Sequence, residues 1–309
     1  MSTETFTTTG PRDYLNKGFE WLSHSARWAH MLAVVLMVYI YQPLFLHFAN
    51  EYWVSTNLDG TYAHAPLVVL GIIFIAWKRR DVFRLPASDP VSFKGLALML
   101  VGAAAEIYGN MHGYLVLQGL SLIPLAAGIL LTLQGESAWR AMRFPLLMLV
   151  FVVPLPNAGI DAMTKPLAIM TGDLVIPMLL PFNIEATRAG QVLSVRGPGH
   201  EQFHQVIIAA ECSGIRSLLA LLAISSLLAC LRGHSAKRTL LLLLVTPLMA
   251  LLGNAVRIVI TTVMIVYVDP ATAENFYHSV SGITAIVVAL CGIFAFDRLT
   301  DRFPACAKS

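Results

Sequence analysis

The chain has 309 residues, 57% of them hydrophobic and 13% charged, a charged share about half that of an ordinary soluble domain. A net charge of only +3 and a mean hydropathy of +0.69 exclude a soluble globule and a nucleic-acid binder that relies on a basic face. What remains is an all-α polytopic membrane protein, a helical bundle within the lipid bilayer.

A helix crossing ~30 Å of hydrocarbon needs ~20 mostly apolar residues, and about eight runs approach that length. In chain order they cover Trp28–His47, Tyr62–Trp77, Phe93–His112, Tyr114–Leu133, Ala141–Leu155, Ile208–Leu231, Thr239–Val268 and Phe276–Phe296. The second and fifth are short and would borrow interfacial residues; Trp53, Tyr62, Trp77 and Trp139 fall where an aromatic belt would lie. The first run starts beyond residue 27, is long and lacks a small-x-small exit, so the N-terminus is expected to stay attached. Residues 28–300 are read as one membrane-embedded domain between cytoplasmic tails at 1–27 and 301–309.

Short loops rich in Lys and Arg stay in the cytoplasm, and here alternate loops agree. Sixteen of the 21 basic residues fall on one side: three before the first span, five around Lys78–Lys94, Arg140 and Arg143, three around Arg232–Arg238, and three after the last span. Lys165, Arg188 and Arg196 are assigned outside, while Arg216 and Arg257 lie within spans. Both termini are therefore expected in the cytoplasm.

The longest external stretch runs from Pro156 to about Val206. Ile160–Leu180 places apolar groups at helical intervals among Asp161, Lys165 and Asp173, which predicts a helix in or dipping into the outer interface. Gln191–Val195 and Phe203–Ile208 flank the turn signal Arg196-Gly-Pro-Gly-His200, predicting a short hairpin before the sixth span.

Ionisable and nucleophilic groups inside spans are costly and mark function by default. Cys212, in Glu211-Cys-Ser-Gly-Ile-Arg216, enters the sixth span from the outside. Arg257, in Asn254-Ala-Val-Arg257, lies roughly 11 residues, or ~16 Å, before the outer end of the seventh. His278 enters the eighth from the same side. A thiolate can attack an acyl carbon, an imidazole can take the thiol proton and return one to the leaving group, and a guanidinium can stabilise an oxyanion. Acyl transfer or peptide cleavage is the reaction class these groups suit.

These phrases resemble the exosortase/archaeosortase family of membrane cysteine transpeptidases. Cys212-Ser-Gly-Ile-Arg-Ser217 is similar to its nucleophile motif, Asn254-Ala-Val-Arg257 to its arginine motif, and His278 before Gly282 to its histidine motif. Asp59-Gly-Thr-Tyr-Ala-His64 with Trp77-Lys-Arg-Arg80 resembles an early motif, and Phe144-Pro145 with Pro154-Leu-Pro156 a middle one. The resemblance spans about residues 55–300, with Ala65 standing where glycine is common and Glu211 where a small residue is often seen.

The resemblance implies a bacterial inner-membrane enzyme with its active site facing the periplasm. Its implied partners are exported proteins carrying a C-terminal signal made of a Pro-Glu-Pro-like motif, a transmembrane helix and a basic tail, and an unidentified acyl acceptor, polysaccharide or lipid-linked. It implies Cys212 as nucleophile, His278 as acid/base and Arg257 as stabiliser. Ser213, Gly214, Arg216 and Asn254 are assigned to substrate positioning. No cofactor or metal is called for: His200 and His204 resemble half a zinc site but lack the Glu of His-Glu-x-x-His.

Blander readings exist for each residue. Cys230 and Cys291 read as small packing residues, Arg257 alone as an ion-pair staple with Glu106 a conceivable partner, and His278 alone as an interfacial histidine. The alternative function is a non-catalytic membrane factor or a transporter for surface polysaccharide assembly, although no repeat of the kind common in carriers is present.

Overall fold

The structure is a computed structural model that describes residues 32, 35–37, 39–50, 62, 64–84, 93–199, 202–208, 215–268 and 281–301. Among these, eight helices and one small sheet follow the order α1 (residues 39–48), α2 (Ala65–Lys78), α3 (Phe93–His112), α4 (Leu115–Leu147), α5 (Asn157–Leu179), β1 (Glu185–Ala189), β2 (Val192–Arg196), β3 (His204–Ile207), α6 (Ile215–Arg232), α7 (Ala236–Tyr267) and α8 (Ser281–Asp301).

The outward faces are apolar. On α2, Leu70 is 62% exposed and Ile73 58%, and α7 presents Leu240, Leu244 and Leu248 in the same way. In water such faces would aggregate; in lipid they are the solvated surface, and the helices satisfy their own backbone groups. Leu115–Phe151, Ala158–Phe182, Ala236–Tyr267 and Gly282–Asp301 are each long and apolar enough to cross a membrane, and Ala65–Lys78 and Ser217–Arg232 are shorter apolar helices. The chain is a membrane-embedded helical bundle.

Lipid is as apolar as leucine, so close packing and interhelical hydrogen bonds must hold such helices together. Gly95, Gly102 and Gly109 repeat every seventh residue along the face of α3 that meets α4, and all three are buried. A Cβ on Gly102 would lie 2.8 Å from the Leu125 backbone nitrogen, so only glycine permits this approach. Between α6 and α7, Ser225 Oγ and Thr246 Oγ1 share a buried hydrogen bond of 2.8 Å.

Four hydrophobic clusters organise the interior. One joins α5, the sheet and the second half of α7; one joins α2, α4 and α6; one joins α6, α7 and α8; and one joins α1 to α4. At the end of the bundle where α6 meets α7, the Asp297 carboxylate is 1% exposed. It pairs with Arg232 at 2.7 Å and Arg238 at 2.6 Å, and His234 Nε2 lies 3.4 Å away. Arg238 also binds Asp301. This ionic knot locks the ends of three helices.

Several expectations change in detail. The expected fourth and fifth spans form one helical run broken at Gly135, whose φ of 79° and ψ of −173° no helix adopts. The Ile160–Leu180 segment, expected as a helix in or dipping into the outer interface, is a 23-residue helix over Asn157–Leu179, and its length and apolarity suffice for a crossing. The expected hairpin is present as β2 and β3, paired antiparallel with Val195 opposite His204. It gains β1, whose polar Glu-Ala-Thr-Arg-Ala sequence carries no strand signal. β1 joins β2 through Gly190 at φ 63°, the positive-φ position of a two-residue hairpin turn. Cys230 packs in the core, as expected of a small apolar residue, whereas Cys291 is exposed on α8.

Candidate functional site

Arg257 is 9% exposed and sits in the second half of α7. With Asn254 before it and Thr261 after it, it forms a buried polar line at helical spacing on an otherwise apolar helix. Thr261 caps its own turn by donating to the Arg257 carbonyl at 3.0 Å. Thr262 is fully buried, and its hydroxyl finds no hydrogen-bond partner among the described residues. Asn254 Nδ2 donates to Thr171 Oγ1 of α5 at 3.3 Å, and both residues are buried.

The depth of Arg257 relative to the neighbouring helices follows from their contacts. Ser225 of α6 is level with Thr246 of antiparallel α7. Ten residues back from Ser225 is Ile215, and ten on from Thr246 is Val256, ~15 Å in both cases. The start of α6 is therefore level with Arg257. Likewise Gly253 abuts Ala285 of α8, so four residues on from Gly253 is Arg257 and four back from Ala285 is Ser281, ~6 Å in both cases. Two independent contacts thus bring the first residues of α6 and α8 to the layer of Arg257.

A third approach comes from the sheet. Ile208, just past β3, is fully buried with Ala255, Ile258 and Val259, the neighbours of Arg257 on α7. Its N–H donates to Gln191 O at 2.8 Å, continuing the β2–β3 ladder. Arg188 of β1 fastens the sheet to α5 through Asp173 at 2.7 Å.

The expected site residues divide accordingly. Arg257 and Asn254 are described and lie together on α7. Arg216 is in the first turn of α6, and nothing further is described of its side chain. Cys212, Ser213, Gly214 and His278 lie outside the described residues, as does Glu211. Glu106 is not the partner of Arg257: its carboxylate accepts from Ser121 Oγ at 3.0 Å, and Tyr41 shares that hydroxyl at 2.8 Å. Thr171, Thr261 and Thr262 were not singled out from sequence, although the last two lie one to two turns beyond Asn254 and Arg257, where helical spacing points to the same face.

The early and middle motifs meet each other. His64 Nε2 donates to Phe151 O at 3.2 Å, and Leu155 N–H donates to Tyr62 Oη at 2.8 Å. Both ties hold the start of α2 against the turn that leads into α5. An apolar cavity of about 510 Å³ opens beside this corner, lined by Tyr114, Leu115, Leu120 and Pro154–Pro156, and α7 contributes nothing to it.

A polar line with a buried arginine is thus set in a bundle of otherwise apolar membrane helices, the kind of position that marks a candidate functional site. A model of the transmembrane exosortase family matches residues 53–295, and the chain belongs to that family. Neither the curated proteins nor the solved structures contain a significant match.

Proposed function

We propose that this chain is a membrane-embedded cysteine transpeptidase that cleaves C-terminal sorting signals of exported proteins. The Cys212 thiolate attacks the scissile carbonyl, and the oxyanion that forms is stabilised by Arg257. His278, which took the thiol proton, returns it to the departing amine as the C–N bond breaks. The thioester left on Cys212 is then attacked by an acceptor hydroxyl, amine or water, whose proton passes to His278 as the thiolate leaves. Arg257 cannot act as the base, because a guanidinium stays charged at any working pH. Burial strengthens its field on the oxyanion.

The observation that carries this reading is the common depth of the start of α6, Arg257 and the start of α8. Cys212 is three residues before Ile215 and His278 three before Ser281 in sequence, and three residues reach at most ~11 Å. Those short separations support grouping the three residues in one site.

The basic loops support an orientation in which the Arg238 end of α7 is cytoplasmic and the Arg257 half faces the periplasm of a bacterial inner membrane. The two ends of α5 support an external placement for that helix. Its start follows Leu155, tied to Tyr62, and Phe182 just beyond its end accepts a hydrogen bond of 2.5 Å from Tyr267 at the end of α7. Both tyrosines fall at external helix ends in this orientation.

The test is cleavage of a tagged sorting-signal substrate in cells carrying Cys212→Ala, Arg257→Ala or His278→Ala. All three variants are expected to accumulate uncleaved substrate; normal processing by Cys212→Ala would overturn the proposal.

A further inference from the structure

The edge of the small sheet carries a further inference. Because Ile208 N–H pairs with Gln191 O, the hydrogen-bonded residues facing β2 are His204, Val206 and Ile208. In an antiparallel ladder the intervening residues turn their backbone groups the other way. The N–H and C=O of Gln205 and Ile207 therefore point out of the sheet, and among the described residues no strand pairs with them.

Natural edges are normally guarded by proline, lysine or a bulge, and His204-Gln-Val-Ile207 has none of these. Nor is the edge loose. Leu193 and Val195 of β2 are fully buried, Val206 packs on the same cluster, and β1 is fixed to α5. Ile207 precedes Cys212 by only five residues.

We infer that the open edge of β3 binds the extended peptide of the substrate as an added strand, delivering its scissile bond to Cys212. This rests on the transpeptidase reading above. The occupant is a backbone recognised through main-chain hydrogen bonds, as in other cases of strand addition. A Pro-x-Pro sequence suits such an edge: the middle residue directs its N–H and C=O to Gln205 or Ile207, and the flanking prolines, which have no N–H to offer, face away. The prolines would then close the new edge to further pairing.

The experiment uses the full-length protein in lipid vesicles with a synthetic peptide comprising the Pro-Glu-Pro motif and its flanking residues. N-methylation of the motif's middle residue is expected to lower kcat/KM about tenfold or more through KM, the loss of one hydrogen bond with an acceptor left unpaired, while N-methylation three positions away, where strand alternation turns the N–H outward, has little effect. Gln205→Pro, which removes an outward N–H and keeps the β2 ladder, is expected to act like the first peptide, and Gln205→Ala to match the wild type. If Cys212-dependent cleavage proceeds equally well with every N-methylated peptide, strand addition is wrong and the transpeptidase reading stands. If the wild type cleaves nothing, both fall.

Discussion

Asn254 of α7 donates a hydrogen bond to Thr171 of α5 in the fully buried seam between these helices, one turn from Arg257. That bond fixes the rotation of α7 about its own axis where the guanidinium must be aimed. Thr171→Val keeps the volume and removes the acceptor. We expect it to reduce stability by about 1 kcal/mol and turnover by more than that loss would explain, with KM nearly unchanged. Thr171→Ser should restore both. Steady-state cleavage and detergent melting curves of the three proteins check this.

Gly253 stands where α7 and α8 come closest, its missing side chain replaced by Ala285 O. Gly253→Val forces the helices apart just below the layer of Arg257 and Ser281. Overpacking of this kind costs roughly 1–3 kcal/mol. The expected outcome is a lower melting temperature together with loss of cleavage, and Gly159→Val, where only Pro156 approaches at 3.8 Å, should leave both near wild type.

Asp297 carries the charge balance at the opposite end. Its carboxylate is buried against Arg232 and Arg238, so Asp297→Ala leaves the two cations with only the half-exposed Asp301 as a shared partner. A buried pair broken from one side loses about 3–5 kcal/mol. Asp301, 51% exposed at its side chain, should be worth far less, because water screens it. Thermal unfolding in micelles of Asp297→Ala and Asp301→Ala separates the two.

His234 sets an acid limit in the same knot. Burial pushes its imidazole below the ordinary value, outweighing the opposing pull of Asp297, and Arg238 and Arg232 add to the lowering while Asp301 opposes it. With the folded value lowered, the unfolded chain takes up the proton first. Stability is therefore unaffected above pH ~6.5 and declines as pH falls below it. His234→Gln should flatten the decline between about pH 6.5 and 5 in a melting-temperature profile.

Much of this architecture was legible because lipid imposes a strict grammar on sequence. Apolar runs long enough to satisfy their own backbone marked α3, α7 and the end of α6 to within three residues, while α8 continues five residues beyond the expected Phe296 to Asp301, and the α6 start was placed early at Ile208 because that residue is apolar without being helical. Gly135 was harder: a break inside a run shows only as a glycine between Gln134 and Glu136, and its effect on direction depends on packing. β1 was invisible because its pairing is dictated by β2 and by the Arg188–Asp173 tie, not by strand propensity. Arg257 and Asn254 stood out as polar groups in a span. Thr171 did not, since a threonine in an apolar helix usually bonds its own preceding turn, as Thr171 also does to Leu167 O at 2.8 Å. Its second role arises only when α5 meets α7.

Trapping of an acyl-enzyme tests the central claim most directly. Purified protein mixed with a sorting-signal peptide labelled on its N-terminal side should acquire the label through a hydroxylamine-sensitive thioester, and mass mapping should place it on Cys212. The label should be absent in Cys212→Ala and greatly reduced in Arg257→Ala. Cleavage without a covalent intermediate, or a label that persists in Cys212→Ala, would contradict the account.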